Sequence, residues 1–331
     1  MYPFTVNNPA TVADAATALG KGSAAVYGGG TELLYKLKAM NSPATPPATL
    51  VNLKSITPSL SYIKVDGGTL KIGATTTLAA IAASTDVQNG WKALAQAAGA
   101  AASPELRNVG TIAGNICQQV ECWYFKADNN LFDCLRKDSK GVCYAIAGDN
   151  RYHSIFGGVN GCFAVNPSDL APALLAFGAS IVTNKKTWAA KDFWGVVGEY
   201  STNLAADEIV TEIQFPAVAA GSKSAFSKFA LRKSFDFPIV NCAAVITQAS
   251  GSVTAASIAL NAVHNLPRKA TAAETSITGK AITTANADAA GTAAVSGAAA
   301  MPANANTTTT GNSYMIQIAK VMVKRTILAC A

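Results

Sequence analysis

Charge is what this chain has least of. Only 14% of its 331 residues are Asp, Glu, Lys or Arg, against about 25% in an ordinary soluble domain. So few charges cannot coat a surface of this size, which points to surface buried against partner proteins. Histidine is scarcer still: His153 and His264 are the only two, too few for a His-based catalytic or zinc centre. No apolar run reaches the roughly 20 residues of a membrane span; the longest, Leu170 to Val182, is 13 residues. The start, Met1-Tyr2-Pro3-Phe4, lacks the basic-then-apolar pattern of a signal peptide. Cytoplasmic residence is therefore the expectation, with export as a passenger on a signal-bearing partner left open. Neither a GxGxxG turn with a following acidic residue nor a GxxxxGK[ST] loop is present, which excludes a Rossmann dinucleotide site and the common nucleotide hydrolases. The net charge is +7, but the basic residues are scattered, without the aromatic-interleaved stripe of a nucleic-acid binder. A docking surface for an acidic subunit, or a site for an anionic cofactor, is the better use of that charge.

What is there falls into three regions. A chain this long exceeds the ceiling for one core, so two or three subdomains are expected. The first, residues 1 to about 53, reads as helix Thr11 to Leu19, strand Ala24 to Tyr27, a turn Gly28-Gly29-Gly30-Thr31, and helix Glu32 to Met40. Strand, glycine turn and helix together aim backbone N–H groups at a phosphate. The second region, about 54 to 218, predicts strands at Leu60-Ile63 and Leu70-Ile72 and helices at Leu78 to Ser84 and Gly90 to Ala101. A second glycine turn follows at Gly110 to Asn115. After an irregular stretch, 117 to 162, come a helix from Asp169 to Gly178 and strands at Ser180 to Thr183 and Ile209 to Phe215. The third region, 222 to 331, predicts strands at Ala225 to Leu231, Ala243 to Gln248 and Val253 to Leu260, and a closing amphipathic helix, Tyr314 to Leu328. The Ala/Thr/Asn/Gly run from Thr283 to Gly311 reads as a mobile surface segment.

The irregular stretch carries Cys122, Cys134, Cys143 and Cys162, with 11, 8 and 18 residues between them. These spacings are too wide for a zinc knuckle of paired CxxC units. They suit four thiolates brought from separate turns around an iron–sulfur cluster. An ordered loop this long in a compact domain needs something to tie it down. Seven cysteines is an odd number, and Cys242 and Cys330 lie far from the group, so a disulfide scaffold is not expected. Structural zinc remains the non-redox alternative.

The strings Gly28-Gly29-Gly30-Thr31-Glu32-Leu33, Arg107-Asn108-Val109-Gly110-Thr111-Ile112-Ala113-Gly114-Asn115-Ile116 and Pro167-Ser168-Asp169-Leu170-Ala171-Pro172 together resemble the FAD-binding subunit of the xanthine dehydrogenase family of molybdenum hydroxylases. Asp207 to Ile213 and Leu266-Pro267-Arg268-Lys269-Ala270 look like further landmarks of that family. The resemblance covers nearly the whole chain. It implies an α+β fold: a two-subdomain, PCMH-type FAD-binding domain over 1–218 with the insertion at 117–162, then a C-terminal sheet-and-helix domain over 222–331. It implies that Val26, Tyr27, Gly28, Gly29, Gly30, Thr31, Glu32 and Leu33 line the FAD diphosphate and ribityl chain. Thr111, Gly114 and Asn115 would form a second grip, Asp169 would accept from cofactor hydroxyls, Val210 would pack on the flavin region, and Lys228 would lie near its ring. Read without the resemblance, Asp169 is a helix N-cap and Lys228 an exposed strand lysine.

The cysteine stretch looks like the branch whose flavin subunit holds an additional [4Fe–4S] cluster, closer to the molybdenum aldehyde oxidoreductases than to the 4-hydroxybenzoyl-CoA reductases. By that match Cys122, Cys134, Cys143 and Cys162 are the ligands. Cys117 reads as a packing thiol, and His153 as a solvent-facing or hydrogen-bonded histidine. The partners implied are a large molybdopterin-binding subunit, a small [2Fe–2S] subunit and an external electron acceptor. In a reductase of the 4-hydroxybenzoyl-CoA kind a ferredoxin donor would replace the acceptor, with electrons entering through the iron–sulfur loop. No catalytic residue is expected in this chain: the chemistry belongs to cofactors.

Overall fold

The computed structural model describes residues 1–41, 46–137, 141–302 and 311–331. The first subdomain is a three-stranded parallel sheet with Thr49–Asn52 between Thr5–Asn7 and Ala24–Tyr27. Helices Val12–Gly20 and Leu33–Ala39 supply the crossovers that parallel strands require. Thr11 caps the first of these through the Asp14 N–H.

The second subdomain is a five-stranded antiparallel sheet in the order Ile63–Asp66, Thr69–Gly73, Val210–Phe215, Ser180–Thr183, Thr187–Ala189. Its inward face follows from two-residue periodicity: Leu70 and Ile72 on one strand and Ile213 and Phe215 on its neighbour are all fully buried. Helices Leu78–Ala83, Lys92–Ala100, Ile112–Ile116 and Ala171–Phe177 pack into the same core. The expected strand at Leu60-Ile63 begins only at Ile63. Leu60 instead packs with the first subdomain's core, and its carbonyl accepts from the Thr75 N–H at 3.0 Å.

The C-terminal domain is a four-stranded antiparallel sheet, Ser222–Phe229, Val240–Ala249, Ser252–Asn261 and Arg268–Lys269. Alternation here serves two cores. Cys242, Ala244, Ile246, Ile258 and Leu260 point at the domain's own helices, while Ala243 and Ala259 join the core of the second subdomain. Small residues on that second face let helices Lys92–Ala100 and Ala171–Phe177 come close. Cys242 and Cys330 are packing thiols, and burial pushes both up to about 12.

One expectation is overturned. Thr284–Ala294, inside the supposed mobile Ala/Thr run, is a helix with Ala287 and Ala290 fully buried. It packs against Tyr314–Leu328, and its alanine and glycine content is what permits the close approach. Residues 303–310 of that run lie outside the described residues. Among the described residues no helix is long and apolar enough to cross a membrane.

A Cβ on Gly291 would stand 2.5 Å from the Lys320 carbonyl oxygen. Gly291→Ala should therefore force the two helices apart and cost about 1–3 kcal/mol. A lower melting temperature in calorimetry is the expected result; an unchanged one would show that the helices can yield.

Candidate functional site

Strand Ala24–Tyr27 delivers the first glycine turn directly against the second. A Cβ on Gly29 would lie 2.3 Å from the Val109 carbonyl oxygen, and one on Gly28 would meet Thr111 Oγ1 at 3.3 Å. Gly30 has φ +74°, a conformation that glycine adopts without strain. The glycines thus serve first to let two loops touch. What remains open is the turn's polar edge: the N–H groups of Gly29, Gly30, Thr31 and Glu32 have no hydrogen-bond partner among the described residues. Successive unpaired N–H groups at a turn make an anion-binding concavity, and a diphosphate suits it.

The second turn is held rigidly. Thr111 caps helix Ile112–Ile116 through the Gly114 N–H at 3.1 Å, and Leu78 N–H donates to the Gly110 carbonyl at 3.0 Å. Asn115 Oδ1 accepts from Ser168 Oγ at 2.6 Å, which ties this turn to the Pro167-Ser168-Asp169 segment.

Asp169 is not a helix cap. The hydroxyl of Ser168 accepts the Ala171 N–H at 3.0 Å instead. Asp169, 3% exposed, holds the Lys228 ammonium at 2.7 Å and accepts from Asn241 Nδ2 at 2.9 Å. Lys228 also donates to the Ala100 carbonyl at 3.0 Å. Its side chain is 9% exposed, so it is not an ordinary surface lysine. It borders a cavity of about 380 Å³ that Gln96, Phe226 and Lys233 also line. Burial raises Asp169 to about 6, and the Lys228 charge limits the rise. Val210 is buried in the main core, a different cluster from the one Val26 joins.

The cysteines converge. Cys122, Cys134 and Cys162 share one buried cluster with Val120, Phe125 and Ala164, and the half-buried Cys143 couples electrostatically to Cys134 and Cys162. All seven cysteines are free thiols. Each of the four sulfurs faces a hydrogen-bond donor. Backbone N–H groups of Phe125 and Tyr124 point at Cys122, that of Arg136 at Cys134, and those of Phe163, Ala145 and Ile146 at Cys143. Asn265 Nδ2 reaches the Cys162 sulfur at 3.4 Å. Burial pushes the Cys122 thiol up to about 12, so thiolates here need a cation among them. Among the described residues, no three or more His, Cys, Asp or Glu side chains form a group able to hold a single metal ion. Ligands of a cubane bind different irons and stand wider apart than ligands of one ion. Three thiols in one cluster, a fourth coupled to two of them and a donor at each sulfur are the chemistry such a group would need.

His153 is buried, not solvent-facing, with Nε2 3.3 Å from Cys122 Sγ, and burial lowers it to about 4. Cys117 packs against the main core, apart from the four.

The insertion is stitched down on three sides. Lys126, in the turn that begins at Cys122, lies 2.7 Å from Glu121 and 3.8 Å from Glu32 at the glycine turn. Arg136 donates to the Gly198 and Tyr200 carbonyls. Asn312 Nδ2 donates to the His153 carbonyl at 2.7 Å. Asn241, Lys126 and Arg136 carried no local sequence signal; only packing reveals them.

Two family models match the chain: the FAD binding domain in molybdopterin dehydrogenase over residues 2–218, and the CO dehydrogenase flavoprotein C-terminal domain over 224–330. The chain belongs to the FAD-binding medium subunits of the molybdenum hydroxylases. It is 31% identical to the aldehyde oxidoreductase FAD-binding subunit of Escherichia coli over 83% of this chain and 86% of that one. To the carbon monoxide dehydrogenase medium chain of Hydrogenophaga pseudoflava it is 28% identical over 88% and 86%. The solved structure of carbon monoxide dehydrogenase from the same organism, lacking the Mo-pyranopterin moiety of its cofactor, superposes with TM-score 0.75, at 28% identity and full coverage of both chains. The relatives are oxidoreductase subunits, and the subunit binds FAD as its family does.

Two outcomes check the site. Gly29→Ala should part the two turns and release FAD, read as lower flavin content of the purified complex; full occupancy would separate loop contact from flavin retention. Asp169 has a folded pKa raised from 3.8 to about 6, so the folded state binds the extra proton between those values and stability falls as pH rises through them. The stability advantage of wild type over Asp169→Asn should accordingly shrink from about pH 4 to about pH 6 in denaturant titrations. A constant difference would contradict the raised value.

Proposed function

We propose that this subunit carries electrons within a heteromeric molybdenum hydroxylase, through FAD and a [4Fe–4S] cluster held by Cys122, Cys134, Cys143 and Cys162. The observation that carries the reading is that Cys122, Cys134 and Cys162 share one buried cluster, with Cys143 coupled to two of them, beside the glycine turn that Lys126 reaches through Glu32. In the assembly, substrate is oxidised at a molybdopterin centre on a large subunit. A small [2Fe–2S] subunit would hand its electrons to this chain, which would hold the groups that release them to an external acceptor. When bound, the flavin exchanges electrons singly or in pairs and the cluster exchanges single electrons, which lets the two cofactors join one relay.

The chain's own residues bind and orient. The free N–H groups of Gly29 to Glu32 grip the diphosphate; Thr111, Gly114 and Asn115 form the opposite wall; Asp169 fixes Lys228 beside the cavity at Ala100. Exposed Trp123, Leu131, Val142 and Ile146 on the insertion, and Leu231, Phe235 and Phe237 on the loop after strand Ser222–Phe229, supply apolar surface for partners. The substrate class favoured is an aldehyde, from the likeness to the Escherichia coli subunit.

Cys134→Ser tests the cluster. The complex should lose roughly four irons per chain together with a visible absorbance shoulder beyond that of flavin. Unchanged iron content would refute the ligand set, and zinc in the wild-type complex would refute the redox role.

A further inference from the structure

Arg136 is 3% exposed, yet among the described residues no carboxylate lies within ion-pairing distance of it. Its Nε donates to the Gly198 carbonyl at 2.9 Å and one terminal nitrogen to the Tyr200 carbonyl, while the other, Nη1, is buried without a partner. An arginine keeps its charge in a protein, and a buried charge without compensation is strongly unfavourable. Two carbonyl dipoles compensate only part of it. The guanidinium lies over the Phe125 ring at 5.9 Å, and Phe125 belongs to the cysteine cluster. The backbone N–H of Arg136 itself points at the Cys134 sulfur.

A second cation adds to the imbalance. Lys137, half-buried and bonded to Asn130 Oδ1 at 2.6 Å, lies within electrostatic range of Cys134 and Cys122. Among the described residues, the carboxylate that couples to Arg136 is Glu199, and it faces Lys36, Lys137 and Arg136 together. Among the described residues, three cations thus share one carboxylate beside four cysteines that carry no charge as thiols. Four thiolates outweigh the charge of a [4Fe–4S] core, so the loaded site is anionic in both oxidation states.

We infer that Arg136, with Lys137 assisting, is the buried counter-charge of the four-cysteine site and raises the potential at which that site takes up an electron. The inference rests on the cluster reading above. Arg136 is a tuning residue, not a catalytic one: it acts through the field it sets at the ligands. Net charge and hydrogen bonding to sulfur are the levers by which a protein sets such a potential. The step is the gain of one electron, supplied by dithionite in the test below, with no bond made or broken.

The experiment is a mediated redox titration of the intact complex, followed by electron paramagnetic resonance, with iron content measured on the same samples. Arg136→Met should keep its iron and show a more negative cluster midpoint. Arg136→Lys should return the midpoint toward wild type, and Lys137→Gln should shift it the same way by less. A merely structural Arg136 would leave the midpoint of loaded protein unmoved. Iron-loaded Arg136→Met at the wild-type midpoint would overturn the inference while leaving the cluster intact. If Arg136→Met fails to load iron, Lys137→Gln decides, and a wild-type midpoint there overturns the inference. A wild-type complex with no iron beyond that of its [2Fe–2S] centres would overturn the cluster reading and this inference with it.

Discussion

Everything at the cofactor site depends on backbone meeting backbone where Gly29 faces the Val109 carbonyl. No side chain fits there. Because it does not, strand Ala24–Tyr27 of a small parallel sheet can end on a loop of a different, antiparallel sheet. The glycine turn keeps its N–H groups free on the remaining edge. The contact also carries the second turn's supports into the first. Thr111 caps its helix and backs Gly28, and Asn115 reaches across to Ser168. Subdomains with separate cores thereby meet at the two turns.

Asp169 and Lys228 extend the same logic to the C-terminal domain. A carboxylate in the second subdomain and an ammonium on a strand of the third meet out of water. Asn241, Asn261 and Asn166 clamp the intervening Ser168 segment from below. Truncating one partner of such a pair strands the other charge, so the pair fixes how the two domains sit as firmly as it holds any ligand. The alanine-faced sheet makes that approach possible, since Ala243 and Ala259 leave room for the helices of the neighbouring core.

The cysteine insertion shows how a stretch with little regular structure stays ordered. It borrows partners: the Gly198 and Tyr200 carbonyls for Arg136, Glu32 and Glu121 for Lys126, Asn265 and Asn312 for its second half. Low overall charge makes each of these buried ions conspicuous. Those at the insertion lie near the glycine turn and the thiols. Surface apolarity fits a subunit whose faces are covered in an assembly.

Regular elements were legible wherever local signals agreed. Ala24–Tyr27, Ser180–Thr183 and Tyr314–Leu328 fall where periodicity and turn residues put them. The sequence by itself determined the glycine turns, the four spaced cysteines and the scarcity of histidine, because these are matters of residue type and spacing. It misjudged Thr284–Ala294, since an alanine-rich stretch carries too weak an apolar stripe to announce its burial. It also assigned Asp169 to a helix cap that Ser168 occupies. Tertiary structure alone decided that Asp169 belongs to Lys228, that His153 lies beside Cys122, and that Arg136 is buried without a carboxylate. Lys228 lies 59 positions from Asp169 in another domain and His153 lies 31 from Cys122 within the insertion, and no local pattern encodes a partner that only packing brings within reach.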